Sequence, residues 1–404
     1  MINFSIDSLM SRLGCEKFPE RWREIYDEAK SILESGENPL LRPEYYDELH
    51  DKYQVLENTL ECYKKSARMI SESEDLSLFF CLLCRALRDR ETIQSDISQI
   101  QFPSAPEGAD ILPYDMMTAL SMCQAIPDLY EQMRARRVPD EILFNSLKIP
   151  EKCVELHTKR SNRPRLTSFA WYQHAYNGNL FRIDRLQLEF PQSMCDLYRY
   201  FESNNGDIIA FPNNICMHRD GFPLGARHYE DEQGSFMATI EETDDAYIGY
   251  PYKSNGHIAL KKISLSKSEW HVKLQSGDKL VGLHIPADEP FTDEIVEATL
   301  KKSREFLKTC YPDYNYKAFF CCSWLLDPSL IDILGENSNI SKFCKRFITV
   351  GLRNNGRDIF GYVFKAYEDN IDIAALPENT RLQKALKQHL LNDKSIYVMH
   401  GVFF

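Results

Sequence analysis

The sequence lacks any apolar run that approaches the ~20 residues needed by a membrane-spanning helix. We therefore expect no membrane partner. Positive charge is also scarce, since 48 Lys and Arg residues stand against 60 Asp and Glu residues and give a formal net charge of −12 at pH 7. Because nucleic-acid phosphates are bound by clustered Lys and Arg, we expect no nucleic-acid partner.

The beginning of the sequence lacks a basic region followed by an apolar core, so it predicts no secretory signal. The 12 cysteines follow no regular spacing, and several lie inside apolar runs. Such cysteines are typical of buried free thiols in a reducing compartment, which predicts a cytoplasmic protein. Cys81 and Cys84 have the spacing of metal ligands, but no second pair accompanies them, so we expect no metal site.

Three common catalytic signatures are also missing. The sequence contains no phosphate-binding Walker loop, no GxSxG motif of serine hydrolases and no HExxH motif of zinc proteases. The chemistry must therefore be sought in the way that strands and helices bring separate residues together.

The first part of the sequence has helical periodicity, with apolar residues recurring at helical spacing among many charges. The predicted helices cover 19–33, 45–70, 75–87, 115–136 and 139–147, and Pro127 either kinks the fourth or divides it. A basic, proline-containing stretch follows at 158–165, and 404 residues are enough for two domains. We therefore predict a helical domain at 1–160 and a second domain at 161–404.

The second part has signals of β-structure. Alternation over 180–190, after the turn at Asn177-Gly178, predicts a strand. Asn355-Gly356 predicts a hairpin between 348–350 and 359–363, because a two-residue turn needs positive φ there. The segment SKSE at 266–269 has the pattern of a capping box and predicts a short helix. The predicted class is α+β.

The most informative stretch is 278–347. An apolar run of strand length, 279–285, is followed by a loop and by a helix that Thr292 can cap. Residues 318–326 are almost free of charge, as expected for a strand covered on both faces. We predict that the strands at 279–285 and 317–325 lie parallel and adjacent, with the helix at 292–310 packed across them.

The segments HIPADEPFT, CCSWLLDP and SNISKFCKRF, at these spacings, resemble the C-terminal domain of a group of bacterial proteins named as acyltransferases. The residues preceding HIPADEPFT, from 248 onwards, also resemble that group, as does MCQAIPDLYEQMRARRVPDEILFNSL in the first part. These proteins join a helical N-terminal domain to a GNAT-like domain. The resemblance therefore implies a mixed β-sheet with flanking helices in the second domain.

The resemblance also implies an activity: an N-acyltransferase that moves an acyl group from acyl-CoA or acetyl-CoA to an amine by direct attack, without a metal. The acceptor would be a small-molecule amine or a peptide amine. In GNAT enzymes the thioester lies between two splayed parallel strands and the diphosphate at a helix amino end. By this likeness the cosubstrate-binding residues are Leu283, Ile285, Ala287, Phe291, Thr292 and Ser323.

His284 is the best candidate for a general base, because it ends the first strand and imidazole titrates near neutral pH. The alternative is a structural histidine that is hydrogen-bonded at a strand end. Cys322 and Ser323 could supply an acid or a thiol, and a Cys322–His284 pair would make a thiol-based transferase. Because side chains alternate along a strand, only one of Cys321 and Cys322 can face the cleft.

One departure from the family pattern supports a different class of function. The segment ADEPF at 287–291 has no glycine, whereas the family's diphosphate loop is rich in glycine. Asp288 and Glu289 would disfavour a diphosphate unless they point to solvent. The alternative is a non-catalytic GNAT-like module that binds a small molecule or a partner.

Overall fold

A computed structural model describes residues 3–90, 92–103, 113–161, 163–287 and 290–404. The chain divides into two compact units, Met1–Asp184 and Arg185–Phe404, here called unit 1 and unit 2. The described part of unit 1 is mainly helical, and unit 2 combines a mixed β-sheet with helices. The predicted α+β class is confirmed.

Unit 1 contains eleven α-helices and one strand among its described residues. They are α1 Ile6–Arg12, α2 Trp22–Ser35, α3 Pro43–Tyr53, α4 Leu60–Ser71, α5 Glu74–Leu87, α6 Ile93–Gln99, α7 Pro113–Met122, α8 Ile126–Ala135, α9 Asp140–Leu147, α10 Ile149–Ser161, α11 Phe169–Tyr176 and β1 Leu180–Ile183. The core is built around α5, whose side chains are mostly buried. Its Phe79 ring lies 5.7 Å from Trp22 of α2, centroid to centroid. The predicted domain boundary after residue 160 falls in α10.

Periodicity located the helices of unit 1 but missed a break. The range 45–70 holds two helices, α3 and α4, because Gln54 and Leu56 between them have φ angles of 53° and 63°. Left-handed residues cannot continue a right-handed helix. At 115–136 the chain also divides, into α7 and α8, with Pro127 in the first turn of α8. There the missing N–H of proline costs no helical hydrogen bond.

Unit 2 contains the remaining strands and helices. In its described part they are β2 Leu186–Ser193, β3 Tyr198–Ser203, β4 Ile208–Pro212, β5 Ile215–Met217, β6 Phe236–Ala238, β7 Glu241–Glu242, β8 Ala246–Gly249, β9 Ile263–Ser266, β10 Trp270–Leu274, β11 Lys279–His284, α12 Asp293–Cys310, β12 Ala318–Ser323, α13 Ser329–Leu334, α14 Asn339–Cys344, β13 Ile348–Gly351, α15 Arg381–Leu391 and β14 Met399–Phe403. Its main sheet has the order β2-β11-β12-β14-β13. Among the described strands in this order, β11 and β12 pair in parallel and the other neighbours pair antiparallel.

The predicted strand–helix–strand unit is confirmed. β11 and β12 are parallel neighbours, and the helix between them, α12, begins after Thr292. α12 packs on one face of the sheet, where the guanidinium of Arg304 lies 5.2 Å from the ring centroid of Phe319 in β12. On the other face, Tyr198 and Tyr200 of β3 and Leu274 of β10 pack against the sheet in one buried cluster. Both faces are therefore covered, which explains the uncharged β12.

The hairpin predicted at Asn355-Gly356 is wrong. Gly356 does turn the chain, with a φ of 63°. However, β13 pairs with β14, and the segment Phe360–Phe364 forms a π-helix. The side-chain amide of Asn354 donates to the carbonyl oxygens of Leu352 and Val398 and so ties the turn to the approach to β14. β13 therefore pairs with β14, which is distant in sequence, and not with the segment that directly follows the turn.

The helix predicted from the segment at 266–269 is also wrong. The N–H of Glu269 donates to the carbonyl oxygen of Ser266 at 3.0 Å, which closes a tight turn between β9 and β10. Trp270 then begins β10, which pairs with β3. A serine that accepts local N–H bonds suits turns as well as helix caps, and strand pairing decided between them. The strand predicted over 180–190 is likewise two strands, because Asp184 between them has a φ of 43°.

Candidate active site

β11 and β12 stay paired over only part of their length. In the described residues their pairing ends at Gly282 and Phe320. Beyond these residues β11 continues to His284 and β12 to Ser323, and each remains paired with its outer neighbour, β2 or β14. Two parallel strands that separate at their carboxyl ends form a V-shaped gap, here called the cleft.

The register of the strands decides which side chains share the face of the cleft. Alternation from the last paired residues puts His284 of β11 and Cys322 of β12 on one face. Glu189 of β2 lies opposite Gly282 on that face. Gly282 makes room there, since a Cβ atom would lie 3.1 Å from the Phe320 ring and 3.3 Å from the Glu189 Cβ. A side chain at this position would crowd both neighbours.

A β-bulge in β2 brings Glu189 to the cleft. Two residues of β2, Phe190 and Pro191, oppose the single residue Val281 of β11. The extra residue reverses the alternation, so that Glu189 shares the cleft face and Phe190 lies on the α12 side. There the Phe190 ring packs 6.4 Å from Phe306 of α12, centroid to centroid. Sequence analysis missed Glu189, because strand register is not written in local sequence.

His284 and Glu189 form a hydrogen-bonded pair. Nε2 of His284 lies 2.8 Å from Oε2 of Glu189, and the two side chains are 30% and 6% exposed. Because an ionised carboxylate only accepts hydrogen bonds, Nε2 carries a proton. In a neutral imidazole the lone pair then belongs to Nδ1. This pair fixes the ring of His284 and its tautomer, as a general base requires.

The other arm of the cleft carries Cys322 and Ser323. Cys322 is exposed and Cys321 is buried, as the predicted alternation requires. Partial burial, aided by Cys195 and Glu189, raises the pKa of the Cys322 thiol to about 11. Such a thiol stays protonated at neutral pH and is a poor thiolate nucleophile. The hydroxyl of Ser323 accepts the N–H of the residue two positions on, at 3.2 Å, and so caps a short turn.

His400 of β14 lies opposite Cys322 on the same face. Its ring stacks on Tyr198 and Phe320, with centroid distances of 5.4 and 5.7 Å. Burial lowers the pKa of the imidazole to about 4, so it is neutral at pH 7. Its Nδ1 has no hydrogen-bond partner in the part of the chain that the structure describes. Sequence analysis missed His400, because only the pairing of β14 with β12 brings it here.

Two cations lie near the amino end of α12. Lys342 and Arg346 contact the Asp293 carboxylate at 3.7 and 2.5 Å. Thr292 caps the helix by accepting the N–H of Ile295 at 3.4 Å, so the predicted cap is confirmed. A helix amino end with neighbouring cations favours an anion such as a diphosphate. Sequence analysis missed both cations, because only the fold brings them to the amino end of α12.

The other predicted cosubstrate-binding residues lie along the same stretch. Leu283 is buried, and its place in the alternation of β11 turns it away from the cleft face. Ile285 is half-buried and Ala287 is exposed. Phe291 packs against a ring of α14 with a centroid distance of 5.1 Å. Because its side chain points away from the cleft, Leu283 can contact a ligand there only through its backbone.

The loop that leads into α12 is anchored at its second half. Arg185 donates from Nε to the carbonyl oxygen of Pro290 at 3.0 Å, and its guanidinium lies 5.2 Å from the Phe291 ring centroid. Asp288 and Glu289, predicted to point to solvent, lie outside the described residues. These two contacts of Arg185 hold in place the residues that directly precede the amino end of α12.

Two kinds of feature are absent from the described ranges. Among those residues, no group of three or more His, Cys, Asp or Glu side chains could hold a metal ion. Within the same ranges, no helix combines the length and the apolar character needed to cross a membrane. Cys81 and Cys84 are buried free thiols of α5.

Two protein-family models match the sequence. Residues 180–403 match the family described as the GNAT-like C-terminal domain, which is more than half of the chain. Residues 43–178 match the N-acyltransferase N-terminal domain. Comparison with curated protein sequences gives no match.

Solved structures with the same fold extend these matches to the whole chain. One is an acyltransferase in complex with decanoyl-CoA and teicoplanin, with a TM-score of 0.58 and 16% sequence identity over 99% of both chains. Another is an acyltransferase in complex with CoA and 10C-teicoplanin, with a TM-score of 0.58 and 17% identity over the same share of each chain. At this level of identity the likeness establishes the fold.

Proposed function

Because the chain belongs to the family of the GNAT-like C-terminal domain, we propose that it is an N-acyltransferase that moves an acyl group from acyl-CoA to an amine. The observation that carries this proposal is the cleft between β11 and β12 with the His284–Glu189 pair on one arm, 2.8 Å apart. The cleft provides room for a thioester, and the pair provides a base for the attacking amine. The amino end of α12, with Lys342 and Arg346 close by, suits the diphosphate of the cosubstrate.

In the proposed reaction the acceptor amine attacks the thioester carbon directly. The lone pair of Nδ1 of His284 takes a proton from the amine, and Glu189 stabilises the imidazolium that results. The new C–N bond forms as the C–S bond breaks, and the thiolate of CoA leaves with the electron pair. The protonated thiol of Cys322 can donate a hydrogen bond to that thiolate. The proton held by His284 then passes to the thiolate, so the products are an amide and the free thiol of CoA.

The solved structures with this fold support the choice of substrates. They hold decanoyl-CoA or CoA together with teicoplanin or 10C-teicoplanin. For the present chain we propose an acyl-CoA as cosubstrate and a small-molecule or peptide amine as acceptor. The twelve cysteines are all free thiols, which supports a reducing, cytoplasmic location.

The two rival functions have less support. A thiol-based transferase needs Cys322 as a thiolate, and the raised pKa of this thiol opposes that state. A non-catalytic module was favoured by the missing glycines before α12. Lys342 and Arg346 offer positive charge at that place instead, so the missing glycines no longer weigh against CoA.

The test is release of CoA from acetyl-CoA and decanoyl-CoA in the presence of a panel of small amines and short peptides, with melting curves recorded for each acyl-CoA. We expect at least one acyl-CoA to raise the melting temperature and at least one amine to stimulate CoA release. Stabilisation by acyl-CoA without amine-dependent release would favour the non-catalytic module. No stabilisation by any acyl-CoA would overturn the acyl transfer.

A further inference from the structure

Unit 2 has an open cavity of about 450 Å³, and Arg227 in its lining donates its backbone N–H to the carbonyl oxygen of Asn354, three residues after β13, at 3.1 Å. It is lined by Arg227, Arg357, Phe360, Asp369, Asn370 and Asp372. The backbone carbonyl of Arg227 accepts the hydroxyl of Tyr397, two residues before β14, at 2.9 Å. β14 begins with Met399, which lies opposite both Ser323 of β12 and Gly351 of β13. The cavity therefore lies at the same edge of the sheet as the cleft.

The cavity contains two arginines without ion-pair partners. Both are half-buried, and among the described residues neither guanidinium has a carboxylate oxygen within 4.0 Å. Arg357 donates to the carbonyl oxygens of Glu368 and Asp369 at 2.6 and 2.9 Å and so holds the loop that forms the rim. The guanidinium of Arg227 makes no hydrogen bond within those residues. A half-buried cation without an ion-pair partner can bind an anion, because its charge is only partly solvated.

The charges of the rim favour a carboxylate over a phosphate. The two negative charges of Asp369 and Asp372 offset the two positive charges of the arginines, so the lining is close to neutral overall. A phosphate dianion would add two negative charges beside these carboxylates, whereas a terminal carboxylate adds one. The carboxylates and the side-chain amide of Asn370 also accept hydrogen bonds from N–H groups, which a peptide supplies. The C-terminal end of a peptide supplies a carboxylate for the arginines and N–H groups for these oxygen acceptors.

The spacing of the strands sets a lower limit on the length of that peptide. Neighbouring strands lie ~4.8 Å apart, so β13 is roughly 12 Å from the midpoint between β11 and β12, with β12 and β14 between them. An extended chain covers about 3.3–3.6 Å per residue. Given the proposed acyl transfer, on which this inference rests, we propose that the cavity holds the terminal carboxylate of a peptide acceptor at least three or four residues long, whose amine reacts in the cleft.

The experiment compares an alanine tetrapeptide with its C-terminal amide and with 6-aminohexyl phosphate as acceptors. For the wild-type protein we expect KM for the free-acid peptide to be about 10- to 100-fold lower than for the amide, from the usual strength of hydrogen bonds between charged groups. Arg227→Gln should remove that difference with little change in kcat, and Arg227→Lys should restore part of it. The matched control is Arg219→Gln, since Arg219 is exposed and paired with Asp231 at 2.7 Å.

Binding of the same peptides to the His284→Gln variant, measured by calorimetry, separates this inference from the proposed function. Binding that depends on Arg227 without CoA release from the wild type supports the cavity and overturns the acyl transfer. Equal KM values for the acid and the amide, with active turnover, overturn the cavity alone. A preference for the aminohexyl phosphate, or no binding of either anionic probe, also overturns the assignment to a peptide carboxylate.

Discussion

At the scale of the residue, the proposed chemistry depends on the hydrogen bond between His284 and Glu189. A carboxylate on Nε2 does two things for a base: it selects the tautomer with its lone pair on Nδ1, and it stabilises the ring once protonated. Unit 2 contains a second histidine–glutamate pair outside the cleft. His271 lies 3.1 Å from Glu202 and is 58% exposed, which makes it a matched control for the first pair.

The first prediction concerns His284→Gln. Glutamine keeps a polar side chain but has no group that titrates near neutral pH, so turnover should fall by the ~10²–10⁴-fold that a general base contributes. Stabilisation by acyl-CoA should persist, and melting curves on the same sample check that the variant is folded. His271→Gln should leave turnover unchanged. A folded His284→Gln protein with full activity would remove His284 from the mechanism.

The second prediction concerns Glu151, a buried carboxyl of α10. Oε2 accepts the N–H of Leu56 at 2.5 Å, and burial raises the pKa of the carboxyl above its usual 4.5. Because the folded state holds this proton more tightly than the unfolded state does, the wild type should lose stability as pH rises from about 4.5 through the raised pKa. Glu151→Gln keeps an oxygen acceptor and should not show that loss.

The measurement is the melting temperature of both proteins between pH 4.5 and pH 8. The melting temperature of Glu151→Gln should increase relative to that of the wild type as pH rises. Glu61→Gln, at a side chain that is 88% exposed, should follow the wild type at every pH. Parallel curves for the wild type and Glu151→Gln would contradict the raised pKa.

At the scale of the element, the amino end of α12 combines the partial positive charge of the helix with two side-chain cations. Asp293 holds Arg346 and Lys342 in place, and Arg346 also contacts Glu297 at 2.6 Å. The carboxylates therefore position the cations as well as reduce their net charge. An incoming diphosphate would compete with them for the guanidinium.

The third prediction concerns Arg346→Gln. Loss of a charged hydrogen-bond donor should raise KM for acyl-CoA about 10-fold or more and leave kcat nearly unchanged, because the diphosphate is equally bound in the ground and transition states. The neighbouring Lys345 pairs with Glu336 at 3.2 Å, so Lys345→Gln is the control with the same charge change. Equal effects of the two variants would mean that general charge, and not this site, attracts the cosubstrate.

The accuracy of the predictions made from sequence also differs between elements. The unit from β11 to β12 was predicted in order, direction and helix cap, because each step has a local signal: an apolar run, a capping threonine and a charge-free strand. The partners of β13 and β10 were not predicted, because strand pairing is decided by distant residues. His284 and Cys322 could be selected for their chemistry, whereas Glu189 and His400 reach the cleft only through register.

At the scale of the whole molecule, the cysteines report on both burial and the cleft. All twelve are free thiols, and only Cys195 and Cys322 are exposed. Burial raises the pKa values of several others, such as Cys62, whose pKa is about 11. Reactivity towards thiol reagents depends on exposure and on the thiolate fraction. In the folded protein Cys195 and Cys322 should therefore react with such reagents, at different rates.

The fourth prediction follows from these two cysteines. At pH 8 a thiol reagent should modify Cys195 first and Cys322 more slowly, because the pKa of Cys322 is about 11, and the denatured chain should react at all twelve positions. Acyl-CoA should protect Cys322. Peptide mapping by mass spectrometry after timed labelling measures both rates. Rapid, unprotected labelling of Cys322 would place the acyl-CoA outside the cleft.

The bulge in β2 makes room for an extra residue without displacing the carboxylate of the site. Because Phe190 and Pro191 both oppose Val281, Glu189 and Gln192 share the cleft face although they are three positions apart. Deletion of Pro191 alone would leave Phe190 as the single partner of Val281 and keep Glu189 opposite Gly282. A protein of this family in which this strand is one residue shorter could therefore hold its histidine with the same glutamate, on a strand that bends less.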